Sequence, residues 1–206
     1  MLPFGAQAEN SSRRVKKLAT DWAHARRMED PAKLLNMRSQ REGWAMRSDT
    51  ELIFDAPELN ALRDIWNEKA TLARGLPSRA DFDARTLKPF LRHVSIVERA
   101  VNPAGRSSYR FRFYGSDLAQ RFGEQTGQFI EMSVPLDRLP RWIAAYDAVL
   151  DAGGPMRFLS YFEIPRISYL NGESFSAPLS NGGRKPNTIL AATYFTPKGE
   201  LRADAG

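Results

Sequence analysis

The sequence predicts an α+β domain: an antiparallel sheet with its helices on one face, preceded by an N-terminal helix and a basic arm. Three observations carry this. Ser107–Tyr114 alternates at the strand period, setting Tyr109, Phe111 and Phe113 against Arg110, Arg112 and Tyr114. The C-terminal third is strand-like throughout, over Met156–Ile164, Glu173–Leu179 and Thr188–Thr196. Between these groups lie several short helical patterns and one longer one, an order that suits helices gathered on one side of an antiparallel sheet.

A chain of 206 residues suffices for one domain with extensions, and 42% hydrophobic with 26% charged residues suits a packed core. The formal charge of +6 is uneven: residues 1–50 hold ten Lys/Arg against six Asp/Glu, and the remainder twenty against eighteen. Any electrostatic partner is therefore met by the N-terminal arm. Within it, Ser11–Arg27 places Val15, Leu18, Trp22 and Ala25 at helical spacing among Arg13, Arg14, Lys16, Lys17, Arg26 and Arg27. Such a segment is either a solvated tail or a contact for an anionic membrane surface, a nucleic-acid backbone or an acidic groove. Glu29–Thr50 lacks sustained periodicity and reads as linker.

Residues 51–75 form a leading amphipathic helix. Asp55 is its capping acceptor, Glu58 completes a capping box, and Gly75 closes its end. Leu59, Leu62, Ile65, Trp66 and Leu72 make one apolar stripe, interrupted by Lys69. That stripe either covers the domain's own sheet or pairs with a second copy in a homodimer. The body, residues 76–197, opens with a short helix capped at Asp81 or Asp83 and carrying Leu87, Phe90 and Leu91. His93–Ala100 and Ser107–Tyr114 then form a hairpin across the turn residues Asn102-Pro103-Ala104-Gly105. Ser116 caps a helix that ends at Gly123. A stronger helix runs from Leu139 to Leu150, its apolar face marked by Trp142, Ile143, Tyr146 and Val149, and Gly153-Gly154-Pro155 ends it. Asn171-Gly172 and Asn181-Gly182-Gly183 read as the turns between the three closing strands, and residues 198–206 as a tail.

Cysteine is absent, which excludes disulfides, thiolate metal sites and thiol nucleophiles. No apolar run approaches the roughly 20 residues of a membrane span, and Met1–Asn10 lacks a secretory pattern, so a cytoplasmic location is the expectation. Neither a nucleophile elbow nor a phosphate-binding glycine loop occurs. Asp81 and Asp83 read as helix caps rather than a metal pair, and Gly182-Gly183-Arg184-Lys185 reads as a charged turn. The expectation is a protein that is not an enzyme.

The stretches LPSRADFDARTLKPFLRHVSIVE at Leu76–Glu98, YRFRFYGSDLAQRFGEQTG at Tyr109–Gly127 and SFSAPLSNGG at Ser174–Gly183 resemble the PAS-domain superfamily, in particular a PAS-like family of short alphaproteobacterial proteins. The resemblance covers Glu58 to Pro197 and departs at Ala84, where the family pattern usually has proline. It implies a five-stranded antiparallel sheet with two leading and three closing strands. It also implies a sensory or regulatory module without an output domain of its own, signalling through a small ligand, an unidentified signalling protein, or dimer rearrangement. It does not name a cofactor, which stays unknown. A flavin photoadduct would need a cysteine, and a haem ligand would have to be His24 or His93. The alternative is a nucleic-acid or membrane-surface adaptor acting through the arm.

A ligand pocket on such a fold would lie between the long helix and the sheet. The candidate lining is Trp142 and Tyr146 facing Phe111, Phe113, Phe158 and Phe162, with Arg112 and Tyr114 offering polar contacts if the opposite face of their strand points inward. Arg79 is read as tying the leading helix to the domain.

Overall fold

A computed structural model describes residues 30–164, 167–181 and 185–197, the side chains of 162–170 and 197 excepted. The basic segment Ser11–Arg27, His24 and the Gly182–Arg184 turn residues lie outside it. In chain order the elements are α1 (Pro31–Arg41), β1 (Met46–Asp49), α2 (Pro57–Ala73), a 3-10 turn (Arg79–Asp81), α3 (Ala84–Leu87), β2 (Val94–Val101), β3 (Ser107–Tyr114), α4 (Ser116–Phe122), α5 (Ile130–Ser133), α6 (Leu139–Ala152), β4 (Met156–Ile164), β5 (Ile167–Leu179) and β6 (Thr188–Pro197). The six strands form one antiparallel sheet in the order β1-β4-β5-β6-β2-β3.

The fold class stands, with two differences. The sheet gains a sixth strand, because part of the segment read as linker folds. Asp30 caps α1 by accepting from the Ala32 amide (2.9 Å), and Pro31 opens its first turn. That Asp-Pro pair was the available sequence signal. β1 then joins the outer edge of β4, pairing Met46 with Ser160 and Asp49 with Arg157. Asn36 of α1 satisfies β1 by donating to the Ser48 carbonyl (2.7 Å) and accepting from its amide (2.8 Å), so the new edge is covered.

The second difference is that helices cover both faces. On one face α1 and α6 pack over Val97, Tyr109, Phe111, Met156, Phe158, Ile189 and Ala191. On the other, α2 and the segment around α3 pack over Val94, Ile96, Phe175, Ala177, Leu190 and Ala192. Consecutive apolar residues Ile189-Leu190-Ala191-Ala192 record this in the sequence, since a strand buried on both sides loses its polar alternation. Leu59, Leu62 and Trp66 are therefore buried against the chain's own sheet, and the Trp66 indole donates to the Pro178 carbonyl (3.2 Å). This takes up the stripe on which pairing of two leading helices was premised.

The start of α2 also differs. Ala56 occupies the capping position and no local side chain caps it, so Asp55 and Glu58 make no capping box. The acceptor comes from the sheet: Glu173 of β5 takes the amides of Asp55 (3.2 Å) and Ala56 (3.0 Å). Arg157 of β4 binds the same carboxylate (2.7 Å) and reaches Asp49 of β1 (3.4 Å). The helix ends with Arg74, not Gly75, in the left-handed region (φ 51°). The turn near its end belongs elsewhere than expected too: Arg79 donates to the Phe82 carbonyl (2.7 Å) and its amide to Ser180 (2.7 Å), tying the 3-10 turn to the end of β5 rather than to α2.

Asp81 and Asp83 act as caps, Asp81 accepting from the Ser78 amide (2.8 Å) and Asp83 from Thr86 (2.7 Å). Asn171 and Gly172 are not a turn. They sit inside β5, paired with Tyr161 and Ser160 on one side and Thr196 and Phe195 on the other, where two flanking ladders outweigh the turn propensity of Asn-Gly. No helix among the described residues is long and apolar enough to cross a membrane.

Glu173→Gln is expected to destabilise the fold by about 3 kcal/mol, because it leaves Arg157 half-paired in a buried setting. Glu98→Gln, which disturbs the contacts of that carboxylate with exposed Arg112 (3.3 Å) and with the Asn181 side-chain amide (3.2 Å), is expected to cost under about 1 kcal/mol. Urea denaturation of both variants checks the contrast.

Candidate functional site

Between α6 and the sheet lies a cavity of about 140 Å3. Its floor is made of small side chains on four adjacent strands: Ser95 of β2, Ser174 and Ser176 of β5, Ala191 and Thr193 of β6, and Ser160 of β4. Large residues at these positions would fill the space beneath the helix. Ser174 and Thr193 satisfy each other through a 2.8 Å hydroxyl pair, and Ser95, Ser160 and Ser176 add further hydroxyls to the floor.

Aromatic side chains form the walls. Of the expected lining, Phe111, Tyr114, Trp142, Tyr146 and Phe158 meet at the cavity. Phe113 and Arg112 do not. A β-bulge places one extra residue in β3, so that Val97 pairs with Phe111 and Ile96 with Phe113. Arg112 is the extra residue, is exposed, and pairs with Glu98 (3.3 Å). Beyond it the alternation inverts: Tyr114 joins Phe111 on the cavity side, while Phe113 turns to the α2 side. Strict period-two reading cannot anticipate such an inversion. The Phe162 side chain lies outside the described ones.

The sequence reading missed Leu118 and Phe122 of α4, Gln125, Phe195, Met46, and the pair Arg138 and Arg141 at the start of α6. α4 can come this close because Gly115 precedes it. A Cβ there would sit 2.4 Å from the Leu91 carbonyl oxygen, so only glycine fits.

A tyrosine hydrogen bond, an ion pair and ring contacts fix α6 over the floor. Tyr109 donates to Asp147 of α6 (2.6 Å), and Arg99 of β2 binds both Asp147 (2.7 Å) and the Tyr109 oxygen (2.9 Å). The Tyr109 ring tilts against Tyr146 at 5.0 Å, and Trp142 lies 5.9 Å from the other side of that ring. Tyr146 is thereby held in place with its hydroxyl bonded to none of the described residues. Burial, then the nearby Tyr114 and Tyr109, push its phenol well above the usual tyrosine range. The Tyr114 hydroxyl is likewise without a partner among the described residues, and burial followed by the Glu124 charge raises its phenol too. Both remain neutral donors at physiological pH.

His93 lies away from the cavity, stacked on Tyr194 at 4.1 Å with its Nδ1 3.5 Å from Asp117. This arrangement gives the ring a packing role at the sheet's other side of α4.

The architecture is thus a six-stranded antiparallel α+β sheet with a small aromatic-walled cavity under its principal helix. Residues 54–138 match the model of the family described as PAS domain, and over that segment the chain is similar to this family, whose modules generally sense signals. Two solved structures show a distant similarity to the chain. A point variant of RsLOV is 11% identical, over 72% of this chain and 73% of that one, with a TM-score of 0.36. An RNA-binding light-oxygen-voltage receptor is 14% identical, over 91% of this chain and 64% of that one, with a TM-score of 0.35. No curated protein matches the chain.

Because the Tyr146 hydroxyl has no partner to lose among the described residues, Tyr146→Phe is expected to change stability by less than about 0.5 kcal/mol. Tyr109→Phe breaks bonds to Asp147 and Arg99 and is expected to cost about 1–2 kcal/mol. Thermal melts of the two variants read the difference.

Proposed function

We propose that this protein is a sensory and regulatory PAS module, not an enzyme, which binds a small molecule in the cavity beneath α6 and passes its occupancy to a partner protein. The cavity itself carries the proposal. Its size is close to that of apolar cavities that accept a single aromatic ring, its walls are aromatic, and its two phenols without a partner among the described residues offer orienting hydrogen bonds. Its described lining holds no carboxylate, histidine or cysteine to act as general base or nucleophile.

A route outward is built into the packing. Met46 of β1 lines the cavity, while Ala32 and Leu35 of α1 belong to the same core as Ala144, Ala145 and Val149 of α6. A ligand that shifts α6 or Met46 therefore acts on the segment that leads to the N-terminal arm.

Native mass spectrometry of the gently purified full chain tests this reading. The wild type is expected to retain a small organic molecule. Ala191→Leu, which fills the floor, is expected to emerge empty while still melting cooperatively. A wild-type protein that retains nothing, and whose melting temperature no compound of a metabolite library shifts, overturns the proposal.

A further inference from the structure

The charge inventory of the cavity is one-sided. Arg138 and Arg141 are the only charged residues among its described lining, and neither an aspartate nor a glutamate joins them. Arg138 is partly matched by Asp137, at a loose 3.9 Å on the exposed side. Arg141 has no carboxylate partner among the described residues; its guanidinium lies 5.8 Å from the adjacent Trp142 ring. Burial, then the neighbouring Arg138, hold it below the usual arginine value, with Asp137 acting in the opposite sense.

Local structure sharpens the imbalance. Arg138 is the capping residue of α6 and Arg141 lies in its first turn, where the helix dipole disfavours cations. No acidic residue occurs in that turn and no side chain caps it. In the same cavity Tyr146, only 6% exposed, and Tyr114 add two hydroxyls without protein acceptors among the described residues. A half-buried guanidinium without a counter-charge is costly. The missing component is an anionic acceptor inside an aromatic wall.

We infer that the ligand is a small aromatic carboxylate, its single ring held between Trp142, Phe111 and Phe158 and its carboxylate facing Arg141, with the Tyr114 and Tyr146 hydroxyls donating to its remaining oxygen acceptors. This rests on the ligand-sensor reading above and specifies its chemistry. The cavity volume limits the ring count to one. A planar carboxylate is the group that a guanidinium fork binds in bidentate fashion.

Isothermal titration of the full-length chain, first stripped of any retained molecule by dialysis, separates the two levels. The probes are benzoate, phenylacetate, benzyl alcohol and benzylamine. The acids are expected to bind and the amine not, with the alcohol at least tenfold weaker than the acids. Arg141→Gln is expected to weaken acid binding roughly tenfold to a hundredfold and leave the alcohol unchanged. Arg112→Gln makes the same charge change on the bulged, solvent-facing residue of β3 and is expected to have no effect. Should Arg141→Gln fail to fold, Arg141→Lys serves instead, and a loss of acid affinity is again expected because ammonium cannot form the fork.

Equal binding of alcohol and acids, or acid affinity indifferent to Arg141, overturns the carboxylate assignment while leaving a ligand sensor in place. Binding of none of the four probes, when mass spectrometry still finds a retained molecule, overturns it as well. Failure of the broader reading looks different, since then the wild type retains nothing at all.

Discussion

The carboxylate of Glu173 is the point on which the arrangement turns. It sits on the central strand β5, buried, and joins three parts of the chain that are far apart in sequence: the start of α2, the Arg157 side chain of β4, and through that arginine Asp49 of β1. A buried charge is tolerated only when its lone pairs are satisfied, and here two backbone amides and a guanidinium do so. One consequence is that α2 is seated across the outer face of the sheet. Another is that β1 is held at the edge, from which Met46 reaches the cavity.

With one face of the sheet closed by α2, the chemistry is confined to the other. There the α6 helix is held above the sheet by the Arg99, Tyr109 and Asp147 contacts, at a height set by the tilted rings of Tyr109 and Tyr146. Beneath it the strands carry serine, alanine and threonine instead of the leucine, isoleucine and phenylalanine that fill the α2 side. The cavity is thus the difference in side-chain volume between two faces of one sheet. Its edge is where two arginines meet the positive end of a helix, an arrangement that makes physical sense when an anion completes it.

Much of the architecture was legible in the residues. The β2–β3 hairpin follows from alternation and from Asn102, which bonds the amides of Ala104 and Arg106; α6 follows from its wide apolar face and Gly153. Five of the residues that line the cavity, Phe111, Tyr114, Trp142, Tyr146 and Phe158, follow from periodicity and resemblance together. Arg112 and Phe113 were misplaced because a bulge shifts phase without any residue that announces it, and Arg138 and Arg141 were missed because nothing local marks a cation as half-buried. The segment Pro31–Asp49 reads as linker because most of α1 faces solvent, so its apolar pattern is thin even though Asp30-Pro31 signals its start.

By itself the sequence determined the element order, the sheet's antiparallel character, the absence of thiol chemistry and the PAS resemblance. All are consequences of local periodicity, turn residues and composition, quantities that a short window contains. Tertiary structure alone decided that α2 covers the sheet, that Glu173 caps a helix more than a hundred residues away, which side of β3 faces the cavity, and which charges are left without partners. Each of those depends on groups brought together across the chain, where burial removes water and makes an unmatched charge or hydroxyl count.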